Sequence, residues 1–185
     1  VSNEYDDAGN IISHERDATG RVGYAYDSLN RLASVDFSGD GSNEVAYHYD
    51  DYSGTDCPAA DSYPIGRLTM VKGDYTSVNG QLVYFKYCNK YDVKGRLSEQ
   101  ARTIGTGGSQ ETYTTSYTYD TAGNVKTITY PNGETVTYNY NARGELESVV
   151  APADESGHTT TSYLYNPDGS LNKATYPNAV VADYL

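Results

Sequence analysis

Tyrosines recur two apart along this chain, as Tyr24 and Tyr26, Tyr47 and Tyr49, Tyr117 and Tyr119, Tyr138 and Tyr140, and Tyr163 and Tyr165. Residues two apart in an extended strand face the same side, so each pair predicts a strand with one aromatic face. Leu32, Leu97, Val125, Leu146 and Leu171 each stand five after an Asp or Asn that follows a tyrosine, and they predict the start of the next strand. Turn-forming residues arrive about every ten positions between these runs, which is the pattern of an antiparallel meander. Helix is disfavoured, because Tyr, Thr and Val suit a half-buried pleated surface while Ala and Leu are sparse.

The pattern is also a repeat. A Tyr followed by Asp or Asn occurs at Tyr5, Tyr26, Tyr49, Tyr91, Tyr119, Tyr140 and Tyr165. The spacing is about 21 residues, stretched in places by loops. The double gap after Tyr49 holds the insertion "GTDCPAADSYPIG" and reads as a degenerate unit ending in Gly66, Arg67 and Leu68. Residues 1–185 are thus expected to form one all-β segment of about seven hairpin units and about fourteen strands, with an insertion around 52–66.

The turns repeat their chemistry: Asp27 with Asn30, Asp92 with Gly95, Asp120 with Gly123, Asn141 with Gly144, and Asn166 with Gly169. An Asp at the first position of a type I turn accepts backbone N–H bonds just ahead, and Gly takes a left-handed conformation three residues on. Asn substitutes for either one, since it bonds the backbone and tolerates positive φ. A general acid could not be exchanged for an amide. Asp27 and its equivalents are therefore read as devices that bend the chain. The tyrosine pairs are read as a structural ladder in which neighbouring strands set Tyr beside Tyr, each contact adding about 0.5–1.5 kcal/mol.

Composition narrows the function. The chain holds 21 Tyr, 2 Phe and no Trp, so tyrosine supplies nearly all the aromatic surface. A formal net charge of -12 argues against nucleic acid and anionic membranes as partners, because both select a basic surface. No apolar run approaches the ~20 residues of a spanning helix. The chain opens inside the repeat, at "VSNEYDDAGN", and its only Met is Met70, so it reads as a piece of a longer protein.

Other candidate chemistry is sparse. Cys57 and Cys88 fit either one disulfide, anchoring the insertion to a strand, or two thiols; their separation is not that of a redox or zinc pair. Asp36, Ser38, Asp40 and Glu44, with Gly41, resemble a calcium loop, but Tyr47 stands where the bidentate Glu belongs. An acidic turn is the reading adopted, with calcium at Asp36, Asp40 and Glu44 as the alternative; no other cofactor is expected. His14, His48 and His158 lie in unrelated contexts, and no nucleophile elbow or H-E-x-x-H motif occurs. The chain is not read as an enzyme.

"YDSLNRL", "YDVKGRL" and "YDTAGNV", with "YPNGETVTYNYNARGEL" between marks, resemble the YD repeats of bacterial Rhs proteins, insecticidal toxin-complex subunits and animal teneurins. The resemblance covers nearly the whole chain and is weakest from Cys57 to Tyr87. It implies a curved sheet of hairpins spiralling into a hollow shell. In toxin members that shell encloses a C-terminal toxic domain, and in teneurins it is a cell-surface scaffold. The implied partner is the rest of the parent chain, including an enclosed C-terminal toxin, and the implied location is secreted or cell surface. A DPxG ending associated with self-cleavage is missing, since "NPDGSL" at Asn166–Leu171 is another repeat turn. Two roles follow: a segment of shell wall, or a module whose tyrosine face binds a glycan or a partner protein.

Overall fold

The computed structural model describes residues 2–16, 20–37, 44–58, 62–76, 82–106, 108–154, 157 and 159–184. It is all-β, with strands β1 (Asn3–Tyr5), β2 (Ile11–Arg16), β3 (Gly20–Tyr26), β4 (Leu32–Asp36), β5 (Val45–Tyr49), β6 (Leu68–Thr76), β7 (Leu82–Tyr91) and β8 (Leu97–Thr106). There follow β9 (Ser109–Tyr119), β10 (Val125–Thr129), β11 (Thr135–Tyr140), β12 (Leu146–Val150), β13 (Thr160–Tyr165), β14 (Leu171–Thr175) and β15 (Val181–Asp183). The fifteen strands follow one another in chain order in one open sheet, antiparallel at each pairing from β1 to β8 and from β9 to β15. The meander expected from the tyrosine pattern is what the chain forms.

The chain separates into two compact units, Val1–Tyr113 and Thr114–Leu185. The first unit has a small core on each face of its sheet. Val22, Val35 and Val45 are buried on one face, with Tyr24, Leu32, Tyr47, Val71 and Phe85 packed against them. On the other, Cys57, Met70 and Cys88 are buried with Tyr52 and Ala101 alongside. In the second unit Ala174 is the buried hydrophobic residue among those described. Its apolar contacts come instead from alternating half-buried positions, as in β13, where Thr161, Tyr163 and Tyr165 alternate with exposed neighbours.

A β-bulge recurs at every mark. Tyr5 pairs with Ile11, Tyr26 with Leu32, Tyr49 with Leu68, Tyr91 with Leu97, Tyr119 with Val125, Tyr140 with Leu146 and Tyr165 with Leu171, and the register shifts immediately beside each pair. In each case the returning strand carries one extra residue, such as Glu147 between Leu146 and Ser148. The hairpins between marks, such as β10–β11 and β14–β15, pair without a shift. Bulged and regular hairpins therefore alternate, and each bulge adds local right-handed twist.

The insertion also differs from its sequence reading. Asp50 N–H donates to Arg67 C=O at 3.0 Å, the bond that Asp27 N–H makes to Arg31 C=O at 2.9 Å in an ordinary repeat. Arg67 and Leu68 are thus the return half of the Tyr49 hairpin, and residues 51–66 are an elaboration of its turn. The long gap to the next mark comes from this loop together with the long strands β6 and β7.

Candidate functional site

The repeated turn is the site that defines the molecule. In four of the turns that open with Asp or Asn, one side-chain oxygen accepts the N–H groups two and four residues ahead. Asp27 Oδ1 takes Leu29 N–H at 2.8 Å and Arg31 N–H at 3.0 Å. Asp6 takes Ala8 and Asn10, and Asp92 takes Lys94 and Arg96. Asn141 does the same with Arg143 at 2.9 Å and Glu145 at 3.1 Å. Asp120 reaches Gly123 and Asn124 instead. The turn closes with positive φ three residues on, 59° at Asn30 and 81° at Gly144. At Asn166 the arrangement changes, and Asp168 Oδ1 accepts Ser170 N–H.

The second side-chain atom of the turn residue bonds the side chain four positions on. Asp6 receives Asn10, Asp27 receives Arg31, Asp92 receives Arg96 and Asp120 receives Asn124. At Asn141 the polarity reverses, and its amide donates to Glu145 Oε2 at 2.7 Å. Acceptor and donor have exchanged ends, so complementarity is kept where residue type is not. Backbone and side-chain hydrogen bonds from Arg31, partly opposed by desolvation, hold the Asp27 carboxyl below its ordinary value. The Asn10 side chain does the same for Asp6, and the Asn124 side chain for Asp120.

Arg31 also joins consecutive turns. Its Nη1 and Nη2 donate to the two carboxylate oxygens of Asp50 at 3.1 and 2.6 Å, and its guanidinium lies 4.3 Å from the Tyr49 ring centre. This bidentate, stacked geometry lowers the Asp50 carboxyl and raises the Arg31 guanidinium, the Arg31–Asp50 side-chain bonds being the largest cause of both shifts. Arg67 repeats the motif differently, donating from Nε to Gly95 C=O at 2.9 Å and lying 5.6 Å from the Tyr91 ring centre.

The tyrosines differ from the expected stack. Across strands they face aliphatic residues: Tyr24 pairs with Val35, Tyr47 with Val71, Tyr117 with Ile128, Tyr138 with Val149 and Tyr163 with Ala174. Each repeat spends two strands, so successive tyrosine strands stand roughly 10 Å apart, beyond ring-to-ring contact. Among the described residues the ring pair in contact is Phe85 with Tyr87, centres 6.0 Å apart.

What the marking tyrosines do is hold the preceding repeat. Tyr26 hydroxyl donates to Ile11 C=O at 3.0 Å, Tyr49 to Leu32 at 3.0 Å, Tyr91 to Leu68 at 2.7 Å, Tyr140 to Val125 at 3.0 Å and Tyr165 to Leu146 at 2.9 Å. Every accepting residue is the one paired with the previous mark, beside the bulge. A bulge interrupts the backbone ladder, and the hydroxyl supplies a donor there. Burial raises the Tyr49 and Tyr91 hydroxyls, which keeps them protonated as donors.

The remaining candidates are scattered. Cys57 and Cys88 form a disulfide, Cα atoms 5.6 Å apart. Ser38, Asp40 and Gly41 lie outside the described residues, as does His158. Asp36 ends β4, and Glu44 Oε2 accepts Phe37 N–H at 2.7 Å. Among the described residues no three His, Cys, Asp or Glu side chains are grouped to hold a metal ion. His14 Nδ1 lies 2.7 Å from Asn3 Oδ1, far in sequence from His48 in β5.

A meander that reuses one turn, one bulge and one hydroxyl bond in successive hairpins defines a structural repeat protein. The model of the RHS Repeat family matches residues 5–42, 91–135 and 119–156, over half of the chain. The chain belongs to that family. The unmatched middle holds the insertion at the Tyr49 turn. A comparison with curated proteins finds no match. Among solved structures, the Photorhabdus luminescens Tc holotoxin pore with a TccC3 mutation is similar over 99% of this chain at 15% identity and a TM-score of 0.53. The crystal structure of TcdB2-TccC3 is similar over 99% at 16% identity and a TM-score of 0.51. The chain spans 10% of either of those chains, and at such identity the likeness is one of fold.

Proposed function

We propose that this chain is a segment of wall in a longer, secreted Rhs-repeat protein, and that the wall encloses or displays another part of the same polypeptide. One observation carries the reading: the polar side chains that recur in the repeat are engaged in closing each turn or in holding one hairpin to the next. Asp27, Arg31 and Asp50 are bonded to one another, and the marking tyrosines are bonded to backbone. The similarity to TcdB2-TccC3 and the Tc holotoxin supports a toxin-delivery setting for the parent, with the enclosed part a toxic domain. Limited proteolysis of the parent protein tests this. With the segment intact, a defined region of the parent should resist protease, and removing two whole repeats should expose it. Equal digestion of that region with and without the repeats would refute enclosure.

A further inference from the structure

Residues 51–58 and 62–66 lie outside the strands, between β5 and β6. Two separate sets of contacts hold their described members. The base is closed by Asp50 N–H to Arg67 C=O at 3.0 Å and Gly66 N–H to Asp50 Oδ1 at 2.6 Å. The middle lies over β7. There Cys57 is bonded to Cys88, Tyr52 hydroxyl donates to Asn89 C=O at 2.6 Å, Tyr63 N–H donates to Tyr91 C=O at 3.0 Å, and Tyr91 N–H donates to Ser62 Oγ at 3.0 Å. Beneath the strap sits Met70, with 0% of its surface exposed.

Among its described residues the strap buries little else. Apart from Cys57, its described residues are exposed or half-buried, and Tyr63 is 53% exposed. The sheet beneath does not depend on it, because Met70 pairs with Cys88 and Cys88 with Ala101 along continuous ladders. We propose that the Cys57–Cys88 disulfide is a redox latch, whose reduction frees the middle of the strap and uncovers Met70 while the base of the strap and the sheet persist.

The step is an ordinary two-electron exchange with a dithiol reductant. One reductant thiolate attacks a disulfide sulfur, giving a mixed disulfide and releasing the other cysteine as a thiolate. The second reductant thiol displaces the remaining cysteine and closes the reductant's own disulfide, leaving Cys57 and Cys88 as thiols. Cys57 and Cys88 are 7% and 6% exposed, so attack requires a local fluctuation that bares one sulfur, and it is this first exchange that lets the strap lift. This inference is independent of the wall reading.

Met70 is the only methionine in the chain and is therefore its own reporter. The disulfide-bonded protein and a Cys57→Ser/Cys88→Ser variant are treated with hydrogen peroxide, and sulfoxide at Met70 is followed by mass spectrometry. The latch predicts oxidation about tenfold faster or more in the variant, with its β-sheet circular dichroism and cooperative melt retained. Equal rates would mean that Tyr52, Ser62 and Tyr63 hold the strap unaided, and the latch is wrong. Should the variant not fold, the disulfide is a requirement of the fold and the latch again fails. Hydrogen exchange on the natural sequence with dithiothreitol gives a second reading. Fast exchange at Tyr63 and Tyr91, with unchanged protection in β3 and β4, supports the latch; loss of protection throughout the unit overturns it.

Discussion

The hydroxyl of Tyr49 donates to the carbonyl of Leu32 across 3.0 Å, and Leu32 is the residue that faces the previous marking tyrosine, Tyr26. Tyr26, Tyr91, Tyr140 and Tyr165 likewise brace the bulge made by the preceding mark. The coupling between repeats rests on a polar bond to backbone rather than on stacked rings.

Removing a single hydroxyl tests that claim. Tyr140→Phe leaves Val125 C=O without its donor and should cost about 1 kcal/mol in chemical unfolding. Tyr138→Phe, which removes a hydroxyl with no hydrogen-bond partner among the described residues, should change stability by less than half as much. Equal effects would show that ring packing alone sets the contribution.

The reversed turn at Asn141 makes a second prediction. Asn141→Asp places a carboxylate against Glu145 in a half-buried pair and should destabilise by about 1–2 kcal/mol. Adding Glu145→Asn recreates the Asp120–Asn124 arrangement and should recover most of the loss. A double-mutant cycle with no coupling between the two positions would show that the side-chain bond contributes nothing.

Acid should loosen the turns together. Asp6, Asp27, Asp50, Asp92, Asp120 and Asp168 all ionise below their ordinary value in the folded chain. A carboxyl depressed by folding adds stability above its unfolded value and loses it as pH falls through the folded value. The melting temperature should accordingly hold steady near neutrality and fall below about pH 4. A melt unchanged down to about pH 2.5 would contradict the hydrogen-bond assignment at these turns.

Gly73 tests the packing on the tyrosine face. A Cβ there would meet the backbone oxygen of Glu44 and lie 2.7 Å from Phe85 Cζ. Gly73→Ala should cost about 1–3 kcal/mol as overpacking, seen as a lower urea midpoint. Phe85→Leu should restore only part of it, since the Glu44 carbonyl cannot move aside as a side chain can.

The strands and the turn positions were legible because tyrosine parity and Asp-to-Gly spacing are local signals. The bulges were not read, although the sequence carries a trace of them. Leu146 and Val149 both face tyrosines from one strand, and so do Leu32 and Val35, yet each pair is three apart where an unbroken strand would require an even number. The hydroxyl bonds depend on that shift and were hidden with it. Tyrosine stacking was expected because sequence alone does not say that an aliphatic strand separates each tyrosine strand from the next. The Asn141–Glu145 reversal was visible as a spacing of four, but it acquires meaning only once the turn brings both side chains together.

The closure at Asp50 and Arg67 has a consequence for how such a chain tolerates growth. An ordinary turn crosses from Asp27 to Arg31, whereas this one admits residues 51–66 and still delivers Leu68 opposite Tyr49. Added length is absorbed at one edge, and no strand further along changes its phase. Added length at this marking turn leaves the pairing intact, while a single residue gained inside β3 or β11 would reverse the faces of everything up to the next turn. A lineage of such proteins can therefore lengthen a marking turn freely, while the number of residues in each strand is held by its pairing.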